Sequence, residues 1–167
     1  MKKLIGFVHE LEIVDRFGEV VSRERVCNRV PKAALDFLIM APFGDHAQIP
    51  NIYCGLFTKN YIPSDASSAA DLPIAMGEFT QYAEATRPIW SRVYNNAGTY
   101  SNDASPAEFV PTQDVGVYGS FLVTASDKGG NSGLMLSVAR FSSVEQLRAG
   151  NATRLKVSLT YLPTDVI

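Results

Sequence analysis

The stretch Leu4–Val14, LIGFVHELEIV, decides the fold. Ile5, Phe7, His9, Leu11 and Ile13 alternate with Val8, Glu10, Glu12 and Val14. A period of two sets one row of side chains on each face of a β-strand. Asp15-Arg16-Phe17-Gly18 then supplies a turn, with Gly18 free to take positive φ, and Glu19 to Val30 resumes a β-rich pattern in Val20, Val21, Val26 and Val30. The expectation is a long N-terminal β-hairpin over residues 1–30, free to project as an interaction arm.

Working outward, Pro31 suits the first turn of a helix, and Ala33 to Met40 reads as a short, strongly apolar helix stopped by Pro42 and Gly44. Beyond it, short β-like runs alternate with turn-forming clusters. Strands are expected at Ile52–Asn60, Arg87–Tyr94, Glu108–Thr112, Val115–Ser126 and Leu134–Ser142. The run over 76–84 is ambiguous, and loops are expected at 62–72 and 95–105, long enough to be functional or mobile. The last strand alternates most cleanly: Leu155, Val157, Leu159 and Tyr161 against Arg154, Lys156, Ser158 and Thr160, one face buried and one wet. Parallel crossovers need long helices, and the pattern offers none. The fold class is therefore mainly β, an antiparallel β-sandwich or jelly-roll-like domain with one short helix.

The 167 residues suffice for one domain with a sizeable core. Charge is balanced, 15 Lys+Arg against 17 Asp+Glu, without a run of like charge that would mark a nucleic-acid face. The N-terminal apolar run is broken by His9, Glu10 and Glu12, so it lacks the apolar region of a signal peptide, and no segment approaches the ~20 apolar residues of a membrane helix. The expectation is a chain made in the cytosol, with both cysteines reduced and the Asn151-Ala152-Thr153 sequon unused.

Catalytic chemistry finds little footing. Nucleophilic catalysis needs a thiolate beside a base, yet Cys54 sits between Tyr53 and Gly55 in an apolar strand, which reads as core. Cys27 and Cys54 lie too far apart in sequence, and His9 and His46 too far from either, for metal-ligand spacing. His9 falls on the apolar row of the first strand and reads as a hydrogen-bonded core residue, while Asp45 and His46 are adjacent loop residues. Glu78, Glu84, Asp103 and Glu108 are candidate acids for glycoside hydrolysis, which requires a defined carboxylate separation. "RPIWSRVY" (87–94) is the best contact candidate. Arg87, Trp90 and Arg92 form a patch there if exposed, with Tyr61 and Tyr100 on nearby loops; Trp90 as a core anchor is the equal alternative.

Several segments, taken in order, carry a resemblance: CNRVPKAALDFLI (27–39), IYCGLFTKNYIPSDASSAADLP (52–73), EFTQYAEATRPIW (78–90), NDASPAEFV (102–110), VYGSFLVTASDKGGNSGLMLSVARFSS (117–143) and RLKVSLTYLP (154–163). Together they resemble a group of small virion structural proteins of tailed bacteriophages. The resemblance implies a non-enzymatic capsid decoration, or cement, protein with a jelly-roll-like fold on the outer face of the head. It implies the major capsid protein as partner, a homo-oligomer (dimer or trimer), no cofactor, no metal, no nucleic acid and no membrane. A tail, neck or fibre component and a carbohydrate-binding module for host adsorption are the competing functions. The second is favoured if Trp90, Tyr94 and Tyr100 are coplanar and exposed.

Overall fold

A computed structural model describes residues 3–44 and 47–163. Its strands are β1 (Lys3–Val14), β2 (Val20–Cys27), β3 (Tyr53–Phe57), β4 (Val93–Tyr94), β5 (Tyr100–Ser101), β6 (Ala107–Phe109), β7 (Val115–Val123), β8 (Met135–Leu147) and β9 (Thr153–Pro163). One α-helix, α1 (Lys32–Met40), follows β2 and runs into a 3-10 turn, Ala41–Phe43, that ends at Gly44 in the left-handed region. The first sheet has the order β2-β1-β9-β5-β4, with β6 also pairing β9, and the second has the order β3-β7-β8. Every pairing is antiparallel, so the chain is a mainly β sandwich, as the alternation predicts.

Register explains the core. Phe7 pairs with Leu159, His9 with Val157 and Leu11 with Leu155, which turns the odd-numbered row of β1 and β9 inward. Against it stand Cys54 and Leu56 of β3, Leu122 of β7 and Phe141 of β8, all buried in one cluster with Trp90, Phe79 and Phe109. The other face of the second sheet is buried too, where Phe57, Phe121, Val123 and Val138 pack against Ala69, Leu72 and Met76. The segment 62–72, expected as a loop, is thus partly a lid: a 3-10 turn at Ala69–Asp71 with a Ser68/Asp71 capping box leads into a π turn at Leu72–Met76. Its apolar residues cover a sheet face that two glycines shape. Gly55 lies opposite Phe121 and Phe57 opposite Gly119 in the β3–β7 register. A Cβ on Gly55 would stand 2.1 Å from the Phe121 ring, and one on Gly119 would stand 2.2 Å from the Phe57 ring. Each phenyl ring occupies the space that the missing side chain leaves, a cross-strand fit of ring on backbone.

The sandwich is sealed along both sides. Residues 87–94, expected as one strand, cross between the sheets: Cys54 N–H donates to Pro88 O (2.8 Å) and Trp90 N–H to Ile52 O (2.7 Å), and then Val93 and Tyr94 join β5. Opposite, Arg29 and Val138 exchange backbone hydrogen bonds (2.9 and 3.1 Å) and tie the end of the hairpin to β8. The hairpin of residues 1–30 is consequently not a projecting arm. β1 lies between β2 and β9, buried at Phe7, Val8, His9, Leu11, Ile13 and Val14, because it supplies the inward row that the core needs.

Candidate functional site

The groups most capable of chemistry are held inside the fold. The Cys54 thiol is fully buried, and burial pushes its pKa up, away from the thiolate a nucleophile needs. His9 is fully buried between the sheets; Nδ1 lies 2.7 Å from Ser120 Oγ and Nε2 2.6 Å from Ser137 Oγ. Asn28 donates through Nδ2 to Ser137 Oγ (2.8 Å), and its Oδ1 accepts from Phe7 N–H (2.9 Å). A neutral imidazole fits this chain, with Ser137 donating to Nε2 and Nδ1–H donating to Ser120. Burial lowers the His9 pKa to about 3, which keeps the ring neutral.

Glu78 and Arg87 form a buried bidentate pair, with Nε to Oε1 and Nη2 to Oε2 both at 2.7 Å. Arg87 also donates to the carbonyls of Ala125 and Gly130 (both 2.9 Å), and Glu78 accepts from Gly129 N–H (2.9 Å). The pair pins the Gly-rich turn after β7 against the segment that seals β3. Of the other acids, Glu84 is half-buried, Asp103 is exposed and Glu108 meets Arg154 at 3.4 Å. Among the described residues no group of three His, Cys, Asp or Glu converges as metal ligands do, and Asp45 and His46 lie outside the described residues.

Two of the expected contact residues are corrected by burial. Arg87 is spent in the Glu78 pair, and Trp90 is a core anchor whose indole N–H donates to Val157 O (2.9 Å) while its ring meets Phe7 edge-on at 6.0 Å. Tyr61 is half-buried beside Phe57 and hydrogen-bonds through its hydroxyl to Ser67 and Asp71, away from the others. Arg92 and Tyr100 do come together, lining a shallow groove of ≈ 600 Å³ with Ile89, Ser91, Val93 and the edge of Trp90. The Arg92 guanidinium stands 5.6 Å from the Trp90 ring centroid, and its Nη2 is 3.4 Å from Ile49 O.

This groove borders an unexpected surface. Ile5 pairs with Tyr161, Tyr100 with Leu159 and Tyr94 with Tyr100, so all four exposed side chains, Ile5, Tyr161, Tyr100 and Tyr94, continue the inward row of the first sheet. At Phe7, His9 and Leu11 that row is core, whereas here it runs past the cover of the second sheet. Tyr94 and Tyr100 stack across strands with centroids 5.0 Å apart and planes tilted 45°. The turn between them, Asn95–Thr99, is held by Asn95 Oδ1 accepting from Ala97 N–H and Thr99 N–H, with Asn96 and Gly98 left-handed. Gly98 is required twice over: its φ is +85°, and a Cβ there would lie 2.6 Å from the Tyr161 ring. Since Trp90 is buried and the two tyrosines are tilted, the coplanar, exposed Trp90–Tyr94–Tyr100 platform that would favour a carbohydrate-binding module is not formed. Alternation alone assigns Ile5 and Tyr161 to the core, because they sit at the ends of otherwise buried rows.

The outer face of the same sheet is charged. By register its columns alternate in sign: Arg23 and Arg25 on β2, Glu12 and Glu10 on β1, Arg154 and Lys156 on β9, then Glu108 on β6. Glu12 accepts from Arg23 (2.7 Å) and Lys156 (2.8 Å). Burial opposes its charge, but these hydrogen bonds outweigh that and hold its carboxyl below the usual range.

Comparison with protein-family models, with curated proteins and with solved structures yields no match.

Proposed function

We propose that this chain is a non-enzymatic structural protein of a tailed-phage virion, a capsid decoration protein that docks its aromatic overhang onto the major capsid protein. The observation that carries this is the inward row of the first sheet left uncovered at Ile5, Tyr94, Tyr100 and Tyr161. Such side chains belong to a core pattern, and completing it requires apolar surface from another molecule. Tyrosine beside Arg92 and Ile89 is the composition of contact hot spots, where aromatic area is buried at small conformational cost. The order of motifs from Cys27 to Pro163 supports the virion assignment, and a rigid sandwich suits a part repeated many times over a shell.

The test mixes the purified chain with heads and, separately, with tails of the parent phage assembled without it. Cosedimentation with heads in hundreds of copies is the expected result, and Tyr94→Ser/Tyr100→Ser should weaken it by about tenfold or more, as loss of aromatic hot spots does. Cosedimentation with tails alone would move the protein to the tail or neck. Binding to neither would overturn the virion assignment.

A further inference from the structure

We infer that the partner seated on the tyrosine overhang presents an Asp or Glu side chain to Arg92, which makes Arg92 the specificity-determining residue of that surface; this rests on the docking proposed above and adds the chemistry of the partner. Arg23, Arg29, Arg87, Arg148 and Arg154 each pair with a carboxylate. Among the described residues Arg92 pairs with none. Its guanidinium stands 5.6 Å from the Trp90 ring centroid, and its hydrogen bond is the 3.4 Å contact of Nη2 with Ile49 O. A guanidinium carries five N–H donors in a planar fork, so most of them are left to solvent.

The walls around it are apolar. Arg92 is partly buried and lines the groove of ≈ 600 Å³ with Ile89, Val93, Tyr100 and the edge of Trp90, and of these Ile89, Val93 and Tyr100 are exposed. Tyr100 belongs to both the groove and the overhang, where it stacks with Tyr94 at 5.0 Å. A partner that covers Tyr100 therefore closes the groove and takes water away from Arg92. A guanidinium covered in this way and left unpaired is costly. The partner must supply acceptors. A carboxylate matches the fork with two parallel hydrogen bonds, whereas a lone carbonyl fills one donor. In apolar surroundings such a pair adds little affinity over an apolar contact of the same shape, but it rejects a partner that lacks the acid. Adhesion stays with the tyrosines, and selectivity falls to Arg92.

Arg92→Met tests this, since it keeps the apolar stem of the side chain and removes the charge. In cosedimentation with heads of the parent phage assembled without the chain, Arg92→Met should weaken binding by about 30-fold or more, because it strands the partner's carboxylate in the groove. Arg92→Lys should lose less, keeping the charge but not the fork. Unchanged or tighter binding of Arg92→Met, with binding still weakened in Tyr94→Ser/Tyr100→Ser, would leave the docking intact and overturn the inference. Where heads bind nothing, a pair of peptides reads the groove by itself. An acetylated Leu-Asp-Leu amide at millimolar concentration should shift the Arg92 Nε–H resonance of the native chain, and its Leu-Asn-Leu counterpart should not. That result would overturn the virion assignment alone. Equal shifts from the two peptides, or none from either, would overturn the inference with it.

Discussion

Acidification should unfold this protein through His9. In the folded chain the imidazole is fully buried and hydrogen-bonded to the neutral hydroxyls of Ser120 and Ser137, and burial lowers its pKa from 6.5 to about 3. Between those values the unfolded chain binds a proton that the native chain does not, so stability rises with pH across the window and is lost as pH falls below 6.5. The slope approaches about 1.4 kcal/mol per pH unit, which integrates to about 2 kcal/mol lost at pH 5 and about 4 kcal/mol at pH 3, where the native imidazole itself begins to take up the proton. Glu12 acts in the same direction, since its lowered pKa contributes stability that disappears as pH falls below 4.5, its unfolded value. At pH 5 that contribution is still largely intact, so His9 dominates there. Urea unfolding followed by Trp90 fluorescence at pH 8 and pH 5, on the native chain and on His9→Gln, isolates the effect. The native chain should hold an advantage at pH 8 from its Ser–His–Ser bonds, and that advantage should shrink by about 2 kcal/mol at pH 5. An advantage that stays constant to within about 0.5 kcal/mol over that range would mean that His9 titrates normally in the folded state, and the account of a sealed imidazole would fail.

Glu78→Gln should destabilise the chain by about 3–5 kcal/mol, because it leaves the Arg87 charge buried with one partner removed; chemical denaturation gives the value. The paired replacement Glu78→Leu/Arg87→Met should cost less than Glu78→Gln alone, and the reverse order would contradict the assignment of the loss to an uncompensated charge. Gly55→Ala should cost about 1–3 kcal/mol through collision with the Phe121 ring. In a double-mutant cycle with Phe121→Leu the costs should fall short of additive by about 1 kcal/mol, and strict additivity would show that the ring does not occupy the glycine's space.

What sequence conveys here follows from the range of the interactions. β1, β9 and α1 were legible because alternation, the turn at Asp15–Gly18 and the Pro42/Gly44 stop are local signals, and the structure places β1 at Lys3–Val14, β9 at Thr153–Pro163 and α1 at Lys32–Met40. The stretch 87–94 was legible only as β-like. Its strand character is split between Ile52–Cys54 of one sheet and Tyr100–Ser101 of the other, partners far away along the chain. For the same reason Arg87 reads as a surface cation until Glu78, Ala125 and Gly130 are brought to it. The lid over the second sheet was hidden by its composition, where Ser, Ala and Asp crowd round a few apolar side chains. Leu72 and Met76, four residues apart, were its one helical signal. The overhang was missed in another way: alternation tells which side of a strand a residue occupies, but not how far the opposite sheet extends.

The distribution of charge favours attachment at the apolar ends. On the outer face of the first sheet the acidic column of β1 lies between the basic columns of β2 and β9, and Glu12 accepts from Arg23 and Lys156 at 2.7–2.8 Å. A face neutralised in this way projects little field, and with 15 Lys+Arg against 17 Asp+Glu the whole chain adds little more. Steering by charge is therefore weak, so a partner docked as proposed would be held by apolar contact at the tyrosine overhang, an extension of one sheet shaped by a turn and a groove. Repeated over many copies, that contact would let each single patch of a few aromatic rings be weak and the attachment as a whole firm.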